Sequence, residues 1–86
     1  MPTINTSITT TWTQIAAATD ADLLATWNAN VAIDIASTAS NNAPTVQGHR
    51  LTKDDQITRS VMGPGYIWAK VCPGSVPATV VMVVSK

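Results

Sequence analysis

Charged side chains are scarce in this sequence: 12% of 86 residues, with a formal net charge of zero. That is about half the share usual in globular chains. This argues against electrostatic nucleic-acid binding, which needs clustered Lys and Arg to displace phosphate counterions. Here Arg50, Lys53, Arg59, Lys70 and Lys86 are dispersed, with Asp54 and Asp55 among them. Repulsion between copies is weak in such a chain, which suits a protein that works assembled. Glutamate is absent, and with it a good surface helix former. Phenylalanine is absent too, so Trp12, Trp27, Trp68 and Tyr66 are expected to be the bulky fillers of the core or of subunit contacts.

Cys72 is the only cysteine, so no intrachain disulfide forms. Flanked by Val71 and Pro73, it reads as a half-buried, inert thiol of a chain made in a reducing cytosol. His49 is the only histidine, and His49 with Cys72 cannot fill a zinc site within one chain. Three copies of His49 meeting on a threefold axis is the one metal arrangement left open. The N-terminus lacks the basic segment and apolar run of a signal peptide. No stretch approaches the ~20 apolar residues of a membrane helix.

The usual catalytic constellations are missing as well. There is no Gly-x-Ser-x-Gly elbow for a serine nucleophile. Asp20 with Asp22, and Asp54 with Asp55, sit where turns favour Asp for its local backbone hydrogen bonds. They lack calcium-loop spacing and read as turn residues, not as a glycosidase pair. In Gly63-Pro64-Gly65 the proline has no amide to offer a phosphate. The expectation is a protein that is not an enzyme and needs no cofactor or metal.

What the chain does have is β-sheet grammar. Ile8 to about Ala16 is Thr-rich and β-branched, and reads as one strand. In it Ile8, Thr10 and Trp12 share a face, and Thr13, Ile15 and Ala17 the other. Asp22–Trp27 puts Leu23, Ala25 and Trp27 on one face, although Thr19 with Asp22 imitates a helix cap. Val31–Ala36 alternates next, after a short Asn28-Ala29-Asn30 turn, so the two segments predict a hairpin. Ser37–Gln47 is a loop around Asn41-Asn42-Ala43-Pro44. Gly48–Leu51 is extended, Lys53-Asp54-Asp55 turns, and Ile57–Val61 is a short strand. Gly63-Pro64-Gly65 is a tight turn.

Tyr66–Val71 and Thr79–Ser85 close the chain around a Pro/Gly-rich turn and predict a second hairpin. The last of these strands is apolar on both faces, which demands a cover on both sides, from its own fold or from another chain. About seven to eight short strands, with turns roughly every eight to twelve residues, predict an all-β fold. The expected architecture is a small antiparallel β-sandwich or jelly-roll-like barrel. Residues 8–86 are read as one domain, and residues 1–7 as an N-terminal arm or first edge segment.

Six segments occur in an order that resembles small structural proteins of tailed-bacteriophage virions: head-decoration, head-fibre-base and tail-accessory β-domains. They are Trp12-Thr13-Gln14-Ile15, Asp22-Leu23-Leu24, Val31-Ala32-Ile33, Gly48-His49-Arg50-Leu51, Ile57-Thr58-Arg59-Ser60 and Tyr66-Ile67-Trp68-Ala69-Lys70. The resemblance covers most of residues 8–85; Ala29-Asn30 departs from it, where a glycine turn would be more usual. It implies a symmetric homo-oligomer, such as a trimer, on a capsid or tail surface, bound to a major capsid protein or another virion protein. It implies no catalytic residues; that neither nucleic acid nor a membrane is expected as a partner follows from the dispersed charges and the short apolar stretches.

The expected function is therefore capsid decoration by a non-enzymatic virion protein made in the host cytoplasm. The interface is expected at Tyr66, Trp68, Val81 and Val83, with Pro2 and Ile4 on an arm that reaches a neighbour. The alternatives are a carbohydrate-binding β-module or fibre base, which would need exposed aromatic rings, and a head–tail connector or collar component.

Overall fold

Alternation by two takes shape as eight strands and one short helix in the computed structural model, which describes residues 2–86. In chain order they are β1 (Thr3–Ile8), β2 (Thr13–Ala16), β3 (Leu24–Trp27), β4 (Ile33–Thr38), β5 (His49–Leu51), β6 (Ile57–Thr58), α1 (Arg59–Met62), β7 (Tyr66–Val71) and β8 (Val80–Ser85). They form two four-stranded sheets. The first has the order β1-β8-β3-β6, the second β2-β7-β4-β5, and every neighbouring pair is antiparallel.

Those orders define the topology. β1 pairs with β8, β2 with β7, β3 with β6 and β4 with β5, as in one long hairpin rolled up on itself. This is the jelly-roll arrangement of a double-sheet sandwich. Only β4 and β5 are both consecutive in the chain and adjacent in a sheet; every other connection crosses between layers.

Both predicted hairpins are corrected by this topology. β3 lies in the first sheet and β4 in the second, so Asn28–Ala32 is an arch over the end of the core. Trp27 fastens the arch, its Nε1 donating to the carbonyl of Val31 at 3.0 Å. β7 and β8 likewise belong to different sheets. Alternation fixes which residues face inward, but a strand beside its predecessor and a strand above it show the same alternation.

The single strand expected over Ile8–Ala16 is two. β1 ends at Ile8, and the chain changes sheets through Thr9–Trp12 before β2 begins. At that corner Thr9 Oγ1 accepts from the Thr11 amide and the Thr9 carbonyl accepts from the Val71 amide. Residues 3–7 do not hang free: they run along β8 in unbroken register, from Thr3 opposite Ser85 to Ile8 opposite Val80. Of the two readings of the N-terminal segment, the structure takes the edge strand.

The strand expected over Ile57–Val61 stops after Thr58. Thr58 caps a single helical turn, its hydroxyl accepting from the Val61 amide, and Gly63 at φ 76° ends it. Arg59 explains the break. Its guanidinium donates to the carbonyls of Ala17, Asp20, Gly63 and Gly65, tying the β2–β3 connection to the turn before β7. A strand would aim that side chain elsewhere.

The core between the sheets is Ile- and Val-rich, built on Ile8, Ile15, Ile33, Ile35, Ile57, Ile67, Val71 and Val84, with Met82 and one large ring, Trp27. The other rings are not core fillers. Tyr66, Trp68 and Lys70 alternate with the buried Ile67, Ala69 and Val71, and so stand on the outer face of the second sheet.

Candidate assembly surface

β8 lies inside the first sheet, flanked by β1 and β3. Its inward row, Val80, Met82 and Val84, is buried in the core. Its outward row stays open, with Val81 53% exposed and Val83 37%. Strand register places the neighbours of that row. Ser7 stands opposite Val81; Asn5 and Thr26 flank Val83; Thr3 and Leu24 flank Ser85. Leu24, 40% exposed, adds a third apolar side chain, with Thr58 beyond it. Not one of these outward residues is charged.

The result is a flat apolar centre ringed by hydroxyls and amides. At its rim Thr3 Oγ1 and Ser85 Oγ share a hydrogen bond of 2.7 Å. The rule that a strand apolar on both faces needs two covers is met on one side only: the core covers Val80, Met82 and Val84, and nothing among the described residues covers Val81 and Val83.

The outer face of the second sheet is built differently. Asp34 faces outward on β4 yet is 1% exposed, and its Oδ1 accepts from Arg50 Nε at 3.1 Å. That hydrogen bond, with the carboxylate's charge, raises the Arg50 guanidinium above its ordinary value. Register sets Lys70 on the other side of Asp34, and the Lys70 ammonium lies 4.7 Å above the Trp12 ring. Trp68, 9% exposed, donates from Nε1 to Thr38 Oγ1 at 2.9 Å. Trp12 also reaches Gly48: a Cβ there would stand 3.1 Å from the ring and 2.6 Å from the Ile35 carbonyl. With φ at 83°, Gly48 takes a conformation and a contact that other residues reach only with strain.

A cleft of ≈430 Å3 opens at the side of the sandwich, between β5 and α1. Val46, His49 and Leu51 line one wall, Val61 and Met62 the other. Val46 and Val61 are exposed at its lips. It brings no second His, Cys or carboxylate to His49, and among the described residues no group of three such side chains stands together to hold a metal.

The residues expected to form one interface are split between opposite faces. Val81 and Val83 lie together on the first sheet, with Pro2 exposed near its edge. Ile4 is opposite Val84, on the inward row at the open end of the sandwich, and is 49% exposed there. Tyr66 and Trp68 are on the far side of the molecule, on the second sheet. The structure does not bring them to Val81 and Val83. Leu24 belongs to the surface and was not singled out by the sequence, although the Leu23-Leu24 doublet held the signal: in a strand only one of two adjacent leucines faces in. Leu23 is the buried one.

No family model, curated protein or solved structure matches the chain.

Proposed function

We propose that this chain is a non-enzymatic structural subunit of a virion, a decoration protein that self-associates and binds a capsid shell through the outer face of its first sheet. The observation that carries this reading is the uncharged face centred on Val81, Val83 and Leu24. A face meant for water would carry Lys or Asp among its exposed positions, as strands facing solvent do. Burial of this face against protein removes apolar area from water at about 25 cal/mol per Å2, and no charge has to be desolvated on the way.

Jelly-roll sandwiches serve viral capsid and lectin domains among others, so the topology is compatible with a virion role without deciding it. The order of segments that resembles phage decoration and fibre-base proteins adds the same direction. A sugar-binding platform needs open rings side by side, and here Trp27 is in the core, Trp68 is bonded to Thr38, and Trp12 lies under Lys70, which leaves the half-buried Tyr66 by itself.

Size adds a quantitative constraint. With strands about 4.8 Å apart and a rise of about 3.4 Å per residue, two strands of six residues, one of four and one of two give a face of ~300 Å2, so one face-to-face contact buries ~600 Å2 in total. Stable interfaces bury ~1,200–2,000 Å2. The face alone is therefore a weak contact, suited to a subunit held by several contacts at once on a repeating lattice.

The test is co-sedimentation with purified particles of the virus that carries this reading frame, wild type beside Val81→Lys and Val83→Lys. Wild type is expected to pellet with the shells in copies that follow the lattice, and both lysine variants to stay in the supernatant. A wild-type protein that ignores the shells, or lysine variants that pellet equally well, would sink the reading.

A further inference from the structure

Each sheet has two edges, and three of the four are blunted. β6 is two residues long and runs straight into α1. β5 is three residues long and carries Arg50. β2 is four residues long and its register is broken between Gln14 and Ala16. Short length, charge and bulges are the devices by which proteins stop sheet edges from pairing with other chains. β1 has none of them. It is six residues long, its register along β8 is unbroken, it contains no proline, and the chain has no charged side chain before Asp20.

The backbone groups on that edge can be assigned. The Lys86 amide donates to the Pro2 carbonyl at 3.2 Å, one step beyond the Thr3–Ser85 pair. In an antiparallel ladder, alternate residues turn both backbone groups toward the same neighbour. Ile4, Thr6 and Ile8 therefore bond β8, and Thr3, Asn5 and Ser7 direct their N–H and C=O groups outward from the sheet.

We propose that this edge pairs with the same edge of a second copy, antiparallel about a twofold axis at Asn5, so that two first sheets become one eight-stranded sheet. The occupant is argued from the strand itself. About Asn5 it is a palindrome of side-chain class: Thr3 and Ser7 are hydroxyls, and Ile4 and Thr6 are β-branched. A twofold axis normal to the sheet sets Thr3 against Ser7 of the second copy, Ile4 against Thr6, and Asn5 against Asn5. On the outer face hydroxyl meets hydroxyl and amide meets amide, on the inner face two β-branched side chains meet, no charge meets its own copy, and every outward N–H and C=O of Thr3, Asn5 and Ser7 gains a partner. Side by side, the two uncharged outer faces become one surface of ~600 Å2, so a single flat partner would then bury ~1,200 Å2, the lower end of the range for stable interfaces.

This deepens the self-association in the proposed function and rests on that part of it, not on the identity of the shell. The test is sedimentation velocity of the whole chain over a concentration series, with amide hydrogen exchange on the same samples. Wild type is expected to be a dimer. Exchange at Thr3, Asn5 and Ser7 should slow as concentration rises, and exchange at Ile4, Thr6 and Ile8 should stay constant. Asn5→Pro removes only an outward N–H and should weaken the dimer by about 100-fold or more. Asn5→Lys, which faces a copy of itself, should do the same without proline. A wild-type monomer at every concentration overturns the proposal. So does a dimer that tolerates both Asn5 variants but is split by Val81→Lys; that result would move the self-contact to the face and leave the virion reading standing.

Discussion

Trp68, Asp34 and Ala36 point away from the core on the second sheet and are nevertheless buried, while Val81, Val83 and Leu24 point away on the first sheet and stay open. The face with ions and rings is closed by its own side chains, through the Arg50–Asp34 pair, the Lys70–Trp12 contact and the Trp68–Thr38 bond. The face without a charge has nothing over it among the described residues. Polarity alone would have assigned these roles the other way round, with the charged sheet facing the outside and the valines hidden. Whether a side chain can be satisfied within its own chain decides the matter. An ion pair and an indole N–H find partners locally; a flat row of valines between threonines finds none without another surface.

If the second face is internally finished, breaking it should damage folding most. Trp68→Ala should destabilise the chain by about 3 kcal/mol, the low end for a buried tryptophan because one edge is solvated. In a domain of this size that lowers Tm by about 12–24 °C. Thermal denaturation by circular dichroism reads it. A shift of a few degrees would mean that the ring contributes little and that the two faces are more alike than their burial indicates.

Arg59 ranks next. It joins the layers by bonding carbonyls of the β2–β3 connection and of the turn before β7. Arg59→Met keeps the aliphatic stem and strips those bonds, with an expected cost of about 2 kcal/mol. Urea denaturation checks it, and an unchanged midpoint would reduce Arg59 to a surface residue.

These residues also mark the limits of what the sequence discloses. The inward row of β3 is legible, since Leu23, Ala25 and Trp27 follow from alternation by two; in β8 both rows are apolar, and in β7 rings stand on one row and aliphatics on the other, so spacing separates the rows without saying which faces in. The turn at Gly63-Pro64-Gly65 is legible from composition. Partnership is not. Trp27 and Ile33 belong to one core from different sheets, and nothing in their spacing separates an arch from a hairpin. Arg59 is opaque for another reason: its partners are backbone carbonyls, two of them about forty residues away, and a carbonyl has no sequence identity. β1 reads weakly because Thr3-Ile4-Asn5-Thr6-Ser7 offers one apolar residue in five, and its strand character comes from β8 alongside. The candidate surface was half legible: Val81 and Val83 from the last strand, but not Leu24 or the neutral ring around them, which need register.

The ion pair on the finished face makes a prediction about pH. Asp34 raises the Arg50 guanidinium above its ordinary value. A cation raised on folding contributes stability that is fully present below its unfolded value and is lost only as pH climbs through the folded one. The loss therefore lies above the ordinary arginine range, beyond the usual range of study. The difference in stability between wild type and Arg50→Gln should be constant from about pH 7 to 11. Urea midpoints of both proteins across that range measure it. A difference that fades within the window would detach Arg50 from Asp34 in solution.

The smallest effect on folding is expected at the open face, and there the contrast between the faces is sharpest. Val83→Thr keeps the β-branched shape and the strand propensity, and changes only the polarity of an outward side chain. Its stability should stay within about 0.5 kcal/mol of wild type, as exposed substitutions do. Shell binding should still fall, because a hydroxyl placed at the apolar centre must be desolvated without a partner when the face is covered. Paired measurements on one preparation, a urea midpoint and a co-sedimentation isotherm, separate the two outcomes. A variant that loses stability as steeply as Trp68→Ala would show Val83 to be buried in the isolated chain, and a variant that binds shells like wild type would show that this row of valines is not the contact.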